Sequence, residues 1–242
     1  MRANRDDVAR QTRVRKDRGM KRVDLGGVRE LVATGAQLVE VLPAEEYSEL
    51  HLRNAISLPL KELDAERARQ LDREQPVVVY CWDALCDMSP RAAVWLAQLG
   101  FEAYDYAHGK VDWMAHGLPM EGTAADQPTA LSFVRDDVAC CKLDDRVGQL
   151  RQAIDASPYG FALVLSDRVV LGRIRRSRLD GAPDDASART VVEVGPSTTR
   201  PHTARDELSR RFERSDTNTA IVTTPEGELI GVVRREDVLG DD

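Results

Sequence analysis

Residues 75–93 read Gln-Pro-Val-Val-Val-Tyr-Cys-Trp-Asp-Ala-Leu-Cys-Asp-Met-Ser-Pro-Arg-Ala-Ala, a sequence that predicts a strand, a short loop and a helix start. Its apolar, mostly β-branched run from Val77 to Tyr80 is typical of a strand buried on both faces. Ser89 and Pro90 predict a helix start, with serine as the N-cap and proline in the first helical position. Cys81 would lie in the loop between them, where backbone N–H groups near a helix N-terminus lower a thiol's pKa. The stretch therefore predicts a reactive cysteine at the end of a buried strand.

Strand and helix patterns alternate on both sides of this stretch. The predicted helices cover residues 25–34, 61–73 and 90–99, and the predicted strands cover residues 37–42, 77–80 and 101–106. Such alternation predicts a parallel sheet with helices on both faces. Sites in these sheets lie beyond the carboxyl ends of the strands, which is the predicted position of Cys81.

Length and composition suggest two domains in a cytoplasmic protein. A chain of 242 residues is long for one domain. Its 34 basic and 41 acidic residues give a net charge of −7, so we expect no nucleic-acid partner. No apolar run is long enough to span a membrane, and we expect no membrane association. Residues 1–22 are rich in arginine without the apolar core of a secretory signal, and we expect a flexible N-terminal tail.

The second half of the chain contains an internal repeat. Residues 123–129 are small and polar and predict a linker. Beyond it, two predicted β-hairpins carry Gly172 and Gly231, which are 59 residues apart, and each hairpin follows an amphipathic helix. We expect two β-α-β-β-α copies, at about residues 130–182 and 190–242, to pack against each other.

Both halves resemble known families. Residues 23–122 resemble a single-domain rhodanese through the segments 38–47, 51–60 and 77–81 and the Gly-x-x-x-Trp segment 109–113. Residues 130–242 resemble a tandem pair of cystathionine-β-synthase (CBS) domains through their period and the Gly-Val-Val-x-x-x-Asp ending at 231–237. The resemblances imply an α/β fold in which a rhodanese-like parallel sheet with helices on both faces precedes a CBS pair.

The rhodanese resemblance implies that Cys81 is a nucleophile that takes a sulfane sulfur as a persulfide and passes it to a thiol. The sulfur donor would be a small molecule or a protein, and no metal or organic cofactor would be required. The remaining loop residues would face the substrate, namely Trp82, Asp83, Ala84, Leu85, Asp87, Met88 and Ser89.

This chain also departs from the rhodanese pattern. Glu40 matches the acid usual after the first long strand, but Leu42 stands where the family has an arginine. Asp87 stands where phosphatases of the same fold place an arginine, and we therefore reject a phosphatase. Because Asp83 and Asp87 would repel a dianion, the loop disfavours thiosulfate and favours a neutral or protein-borne persulfide.

Cys86 lies in the same loop as Cys81. It is either a resolving thiol that attacks a persulfide or sulfenic acid on Cys81, or a small residue that fills the loop. Cys140 and Cys141 are adjacent and lack further ligands at zinc spacing, so we interpret them as the edge of a core and expect no metal site.

The CBS resemblance implies an adenine-nucleotide cleft between the two copies. Asp237 matches the ribose-binding acid, and Arg234 stands at the usual Ser/Thr position. In the first copy the corresponding residues are Arg175 and Arg178. These arginines would bind phosphates, or they form a solvated basic edge on a purely structural pair.

Three hypotheses remain open. The first is a sulfurtransferase or persulfide carrier that uses Cys81, with the CBS pair as a regulatory or dimerising module in a homodimer. The second is a nucleotide-responsive regulator whose rhodanese-like domain is a catalytically weak interaction module. The third is a thiol redox sensor that uses Cys81 and Cys86.

Overall fold

A computed structural model describes residues 15–17 and 20–240 of the chain. The chain divides between Asp126 and Gln127 into two compact units, and this division falls within the residues predicted as a linker. The first fourteen residues of the predicted tail lie outside the described residues. Met20–Arg22 is a strand of the first sheet, so this sheet begins earlier in the chain than the sequence predicted. No helix in the described residues is long and apolar enough to cross a membrane.

The first unit is a sheet of short strands that alternate with helices. In chain order its elements are β1 (Arg15–Asp17), β2 (Met20–Arg22), α1 (Leu25–Ala33), β3 (Gln37–Glu40), α2 (Ala44–Glu49), β4 (His51–Leu52), β5 (Ile56–Ser57), β6 (Val77–Tyr80), α3 (Met88–Gln98), β7 (Ala103–Tyr106), α4 (Gly109–Ala115) and β8 (Met120–Glu121).

The main sheet has the strand order β1-β2-β7-β6-β3-β5, and all its neighbours from β2 to β5 run parallel. The central strand β6 is buried on both faces because its side chains alternate between two cores. Val77 and Val79 face the core that contains α3, while Val78 and Tyr80 face the core that contains α1 and α4. Cys81 follows directly after β6. The α/β class predicted from the sequence is confirmed.

Two predicted helices in this unit differ from the structure. Residues 61–73 form separate 3₁₀ turns, Leu60–Glu62 and Arg67–Gln70, instead of one helix. The Asp64 carboxylate accepts hydrogen bonds from two following backbone N–H groups and turns the chain there. Helix α3 begins at Met88, because Ser89 directs its hydroxyl into the protein interior instead of capping the helix. Pro90 fits inside the first turn, where its missing N–H is not needed.

The second unit contains two similar copies of a smaller sheet. Its elements are β9 (Ala139–Cys141), α5 (Val147–Asp155), β10 (Phe161–Ser166), β11 (Val169–Arg175), β12 (Glu193–Val194), β13 (Thr198–Thr199), α6 (Arg205–Glu213), β14 (Thr219–Thr223), β15 (Leu229–Arg234) and α7 (Arg235–Leu239). The sheets have the orders β12-β11-β10-β9 and β13-β14-β15. Cys141 is buried in the core of the first copy, and Cys140 points the other way.

The sheet of each copy pairs at one edge with a short segment from the other copy. In both cases this segment lies just before the first strand of the copy it comes from. The backbone of Arg135, which precedes β9, bonds in both directions to Val232 on β15. In the same way, β12, which precedes β13, pairs with β11 of the first copy. These close approaches require glycine, since a Cβ at Gly231 would lie against the Arg135 carbonyl oxygen and one at Gly172 would lie 2.8 Å from the Glu193 carbonyl oxygen.

Candidate functional site

The Cys81 thiol lies in a closed pocket formed by its own loop and the start of α3. Its side chain is completely buried and packs in the core beside Ala92 and Ala93. The Sγ atom lies 3.6 Å from the carbonyl oxygen of Cys86 and 3.2 Å from Oγ of Ser89. Oxygen atoms thus lie on two sides of the sulfur, and the single S–H proton can be donated to one of them at a time.

The Ser89 hydroxyl connects Cys81 to a buried carboxylate. Ser89 donates to Oδ1 of Asp105 over 2.8 Å, and both side chains are completely buried. The other carboxylate oxygen of Asp105 accepts from Nε of Arg22 over 3.1 Å. A continuous chain of contacts thus runs from Cys81 through Ser89 and Asp105 to a guanidinium at the surface.

The expected lowering of the Cys81 pKa is wrong for this closed arrangement. Burial raises the pKa of Cys81 to about 12, and the neighbouring Cys86 side chain adds to the increase. The Ser89 backbone N–H acts in the opposite direction and lowers the pKa, and the Ser89 hydroxyl does the same only when it donates to the sulfur instead of to Asp105. The start of α3 therefore favours the thiolate as predicted, but the loss of water around the sulfur outweighs it.

The loop residues predicted to face the substrate divide into an inner and an outer group. Asp83 bonds through Oδ1 to the backbone N–H of Leu85, which tightens the loop. Leu85 is 94% exposed, and Asp87 points outward, where its carboxylate lies 3.5 Å from Arg91. Trp82 and Met88 pack against the core that contains Cys81, and Ala84 is exposed.

A buried ion pair lies beneath the loop. Nζ of Lys110 is 2.7 Å from Oε1 of Glu40, and neither side chain reaches solvent. The same ammonium lies 5.3 Å from the centre of the Trp82 ring and 3.3 Å from the carbonyl oxygen of Glu46. Lys110 thus supplies a positive charge beside Glu40, while Leu42 packs in the hydrophobic core.

The first turn of α4 fixes the base of the loop. Backbone N–H groups of Lys110 and Val111 donate to the carbonyl oxygens of Cys81 and Trp82. Gly109 has φ +58°, and a Cβ there would lie against the Cys81 carbonyl and 2.9 Å from that of Trp82. Only glycine allows this approach, which holds the carbonyl of Cys81 toward α4 and its side chain toward α3.

In the second unit, Asp237 already has two cationic partners. Arg135 forms a bidentate pair with its carboxylate, with both contacts at 2.7 Å, and Arg234 reaches the same carboxylate at 3.5 Å. The hydrogen bonds from Arg135 lower the pKa of Asp237. The structure thus brings Asp237 and Arg234 together, as predicted, and adds Arg135.

In the first copy the acid and the arginine exchange places: Arg178 stands where the second copy has Asp237, and the acid comes from the bordering segment. Here the acid is Glu193 on β12, and it lies 2.6 Å from Arg175 and 3.8 Å from Arg178. Arg173 also lies 3.8 Å from the same carboxylate. The predicted phosphate-binding arginines of this copy are therefore already paired with an acid.

Sequence reasoning missed Arg22, Asp105, Lys110, Arg135 and Glu193. One of them carried a usable signal, because Asp105 interrupts an otherwise apolar strand. A charge at such a place requires a buried partner. Arg135 and Glu193 gave no local signal, since their roles depend on the crossing of segments between copies. No cluster of three metal-ligating side chains occurs among residues 15–17 and 20–240.

The chain is similar to several known proteins. A family model described as rhodanese-like domain matches residues 26–116. The chain is 37% identical over 84 residues to the HTH-type transcriptional regulator Rv0324 of Mycobacterium tuberculosis, a match that covers 35% of this chain but only 37% of the regulator. It is 34% identical over 80 residues to the thiosulfate sulfurtransferase GlpE of Coxiella burnetii, and this match covers 33% of the chain and 72% of the relative.

A solved structure of the CBS domains of a transcriptional regulator from Streptococcus pneumoniae covers 48% of this chain and 100% of its own, at 18% identity and a TM-score of 0.44. In the second unit, each copy has the order strand, helix, strand, strand that the internal repeat predicted. With the Cys81 loop in place after β6 and a sulfurtransferase relative that is matched over most of its length, the chain belongs to the rhodanese-like family through its first unit.

Proposed function

We propose that the protein is a sulfurtransferase or persulfide carrier that uses Cys81. The observation that carries this proposal is the position of Cys81 at the carboxyl end of the central strand, facing the first turn of α3. A helix start stabilises an anionic sulfur when the loop opens, and the core on the other side shields it from water.

In the proposed reaction the Cys81 thiolate attacks the outer sulfur of a sulfane donor. An S–S bond forms at Cys81, the S–S bond of the donor breaks, and the donor leaves with the electron pair as a thiolate, or as sulfite when the donor is thiosulfate. An acceptor thiolate then attacks the outer sulfur of the persulfide and returns Cys81 to the thiolate. The chain needs no metal or redox cofactor for these exchanges.

Mass spectrometry after exposure to an organic persulfide, polysulfide or thiosulfate tests the proposal. The Cys81 peptide should gain one sulfur atom, roughly 32 Da, and a thiol should remove it. The Cys81→Ser variant should lose the adduct, while the matched Cys140→Ser variant, which changes an exposed cysteine of the second unit, should keep it. The absence of any adduct on Cys81 with all three donors would overturn the proposal.

Thiol redox sensing is a second candidate, because Cys86 packs against the core that contains Cys81 and its carbonyl oxygen lies 3.6 Å from the Cys81 sulfur. Hydrogen peroxide would oxidise Cys81 to a sulfenic acid, and the Cys86 thiolate would displace hydroxide to form a disulfide. The test is a loss of about 2 Da from the peptide that contains both cysteines, absent in Cys86→Ser. Formation of only higher oxidised forms of Cys81 would contradict this candidate.

For the second unit we propose a regulatory role in which an adenine nucleotide binds near Asp237. The arginines Arg135 and Arg234 converge there, and a ribose hydroxyl pair would compete with Arg135 for the carboxylate. Calorimetric titration with AMP, ADP and ATP tests this. Binding should be lost in Asp237→Asn and kept in Asp180→Asn, which changes an exposed acid of the first copy. Equal binding by both variants would contradict it.

A further inference from the structure

Ser89 hydrogen-bonds to both Cys81 and Asp105, but its hydroxyl can donate to only one of them. A serine hydroxyl has a single proton to donate. In the structure Ser89 donates that proton to the Asp105 carboxylate, and it therefore meets the Cys81 sulfur only as an acceptor. As long as Asp105 is ionised, the hydroxyl stabilises the thiol form of Cys81 and opposes the anion.

An anionic sulfur on Cys81 requires the opposite orientation. Ser89 would have to donate to the sulfur, and the carboxylate of Asp105 would lose this hydrogen bond. The site is completely buried, so an anionic sulfur together with an ionised Asp105 would place two negative charges close together in a pocket that is closed to solvent. Moving one proton from Cys81 through Ser89 to Asp105 avoids this, because the net charge of the pocket does not change.

We propose that Asp105 is a positioning residue that controls the protonation of Cys81 through the Ser89 hydroxyl. When Asp105 is ionised, Cys81 is held as a thiol. When Asp105 carries the proton, Ser89 turns to Cys81 and stabilises the thiolate or persulfide anion. The Cys81 S–H proton passes to the Ser89 oxygen and becomes the O–H proton that faces the sulfur, while the proton that Ser89 had donated to Asp105 is transferred to that carboxylate. One S–H bond breaks and one O–H bond forms on Asp105, so protons and charge balance within the pocket.

The groups around Asp105 fit this role. Burial raises the pKa of Asp105, while the hydrogen bond from Ser89 and the charge of Arg22 hold it down. His108, which precedes α4, also acts to lower it. The net effect is a raised pKa, which makes Asp105 a better proton acceptor than an exposed aspartate. The inference rests on Cys81 as the nucleophile of the proposed function.

The test is the pH profile of Cys81 alkylation by iodoacetamide, followed on the Cys81 peptide by mass spectrometry. Asparagine at position 105 resembles the protonated acid, since its amide donates to Ser89. Asp105→Asn should therefore shift the midpoint of the profile to lower pH by about one unit, or about tenfold in rate near neutral pH. The midpoint decides the outcome because loop opening scales the rate at every pH alike.

A double-mutant cycle with Ser89→Ala separates the relay from a simple charge effect. The shift caused by Asp105→Asn should fall to about twofold or less in rate when Ser89 is alanine, since the hydroxyl no longer transmits the change. An unchanged midpoint, a shift to higher pH, or the same shift in both backgrounds would overturn the inference.

Arg22→Gln provides a second test that does not depend on a buried substitution, because Arg22 is at the surface. Loss of the guanidinium makes Asp105 easier to protonate, and the inference predicts a Cys81 midpoint at lower pH. A direct electrostatic effect of Arg22 on the sulfur predicts the opposite direction, and that result would overturn it. Persulfide formation is measured separately, so a failure of sulfur transfer with a shifted alkylation profile would contradict only the proposed function.

Discussion

The ammonium of Lys110 lies 2.7 Å from the carboxylate of Glu40, and the pair is shut off from solvent at the base of the cysteine loop. Burial raises the pKa of Glu40, and the hydrogen bond and charge of Lys110 oppose this increase. Neither charge is tolerable there alone. The pair joins β3 to α4 and, through the face of Trp82, to the loop.

Lys110→Met should destabilise the first unit by about 3–5 kcal/mol at neutral pH, because it leaves a buried carboxylate without a partner. The double variant Glu40→Gln/Lys110→Met should recover most of that loss. Urea denaturation followed by tryptophan fluorescence measures it, since all three tryptophans of the chain lie in this unit. The exposed pair of Lys21 and Glu102 is the control, and Lys21→Met should cost less than about 1 kcal/mol. Equal losses for both lysine variants would refute the prediction.

Gly109→Ala should disrupt the attachment of the loop to α4. The new Cβ would collide with the Cys81 and Trp82 carbonyls in addition to the strain of a positive φ. Gly117→Ala is a matched control, because Gly117 has φ +63° with open space around it and should lose only about 1–2 kcal/mol. Urea denaturation should show a clearly larger loss for Gly109→Ala. Similar losses would mean that the close approach contributes nothing.

The stability of the second unit should depend on pH through Asp237. Arg135 lowers the folded-state pKa of Asp237 below its ordinary value of 3.8, so the unfolded chain binds the proton more readily. The contribution of this pair is therefore present above about pH 4 and is lost as the pH falls through the folded pKa. Calorimetry should show that Asp237→Asn lowers the melting temperature at pH 7 but hardly at the acid end of this range. A constant difference across the range would contradict this.

The charge at Asp87 should influence the choice of sulfur donor. Its carboxylate is exposed at the rim of the loop and only loosely paired with Arg91. Asp87→Asn should raise kcat/KM for thiosulfate, a dianion, by about twofold to fivefold at low salt, with little change for a neutral organic persulfide. Arg91→Gln should act in the opposite direction. A change of equal size for both donors would show that the charge of Asp87 is not the cause.

The strands and most helices followed from local patterns, because β-branched runs, terminal prolines and the repeat of Gly172 and Gly231 each act within a short segment. The position of Cys81 followed as well, since it depends only on where β6 ends. Its pKa did not, because burial by residues distant in sequence opposes the effect of the helix start. The ion pair of Lys110 with Glu40 was not predicted either, because it joins two segments that are distant in sequence.

The start of α3 shows the remaining limit. Ser89 has the side chain of an N-cap, and local preference assigns it that place. In the structure Asp105, sixteen positions away, takes the hydroxyl, and the helix begins before Ser89. The hydrogen bond from Ser89 to Asp105 thus overrides the local preference of serine for the N-cap. Ser89 is also the residue that contacts Cys81, the candidate nucleophile.

The exchange of border segments between the two copies of the second unit has a consequence for how this unit is built and inherited. A cut between the copies would remove Arg135, which pairs with Val232, from one sheet and Val194, which pairs with Gly172, from the other. Each sheet would then have an edge strand with unpaired backbone groups. Neither half is therefore expected to survive as a fragment. The pair should melt in a single step, and recombination that moves this module between genes would have to carry both halves together.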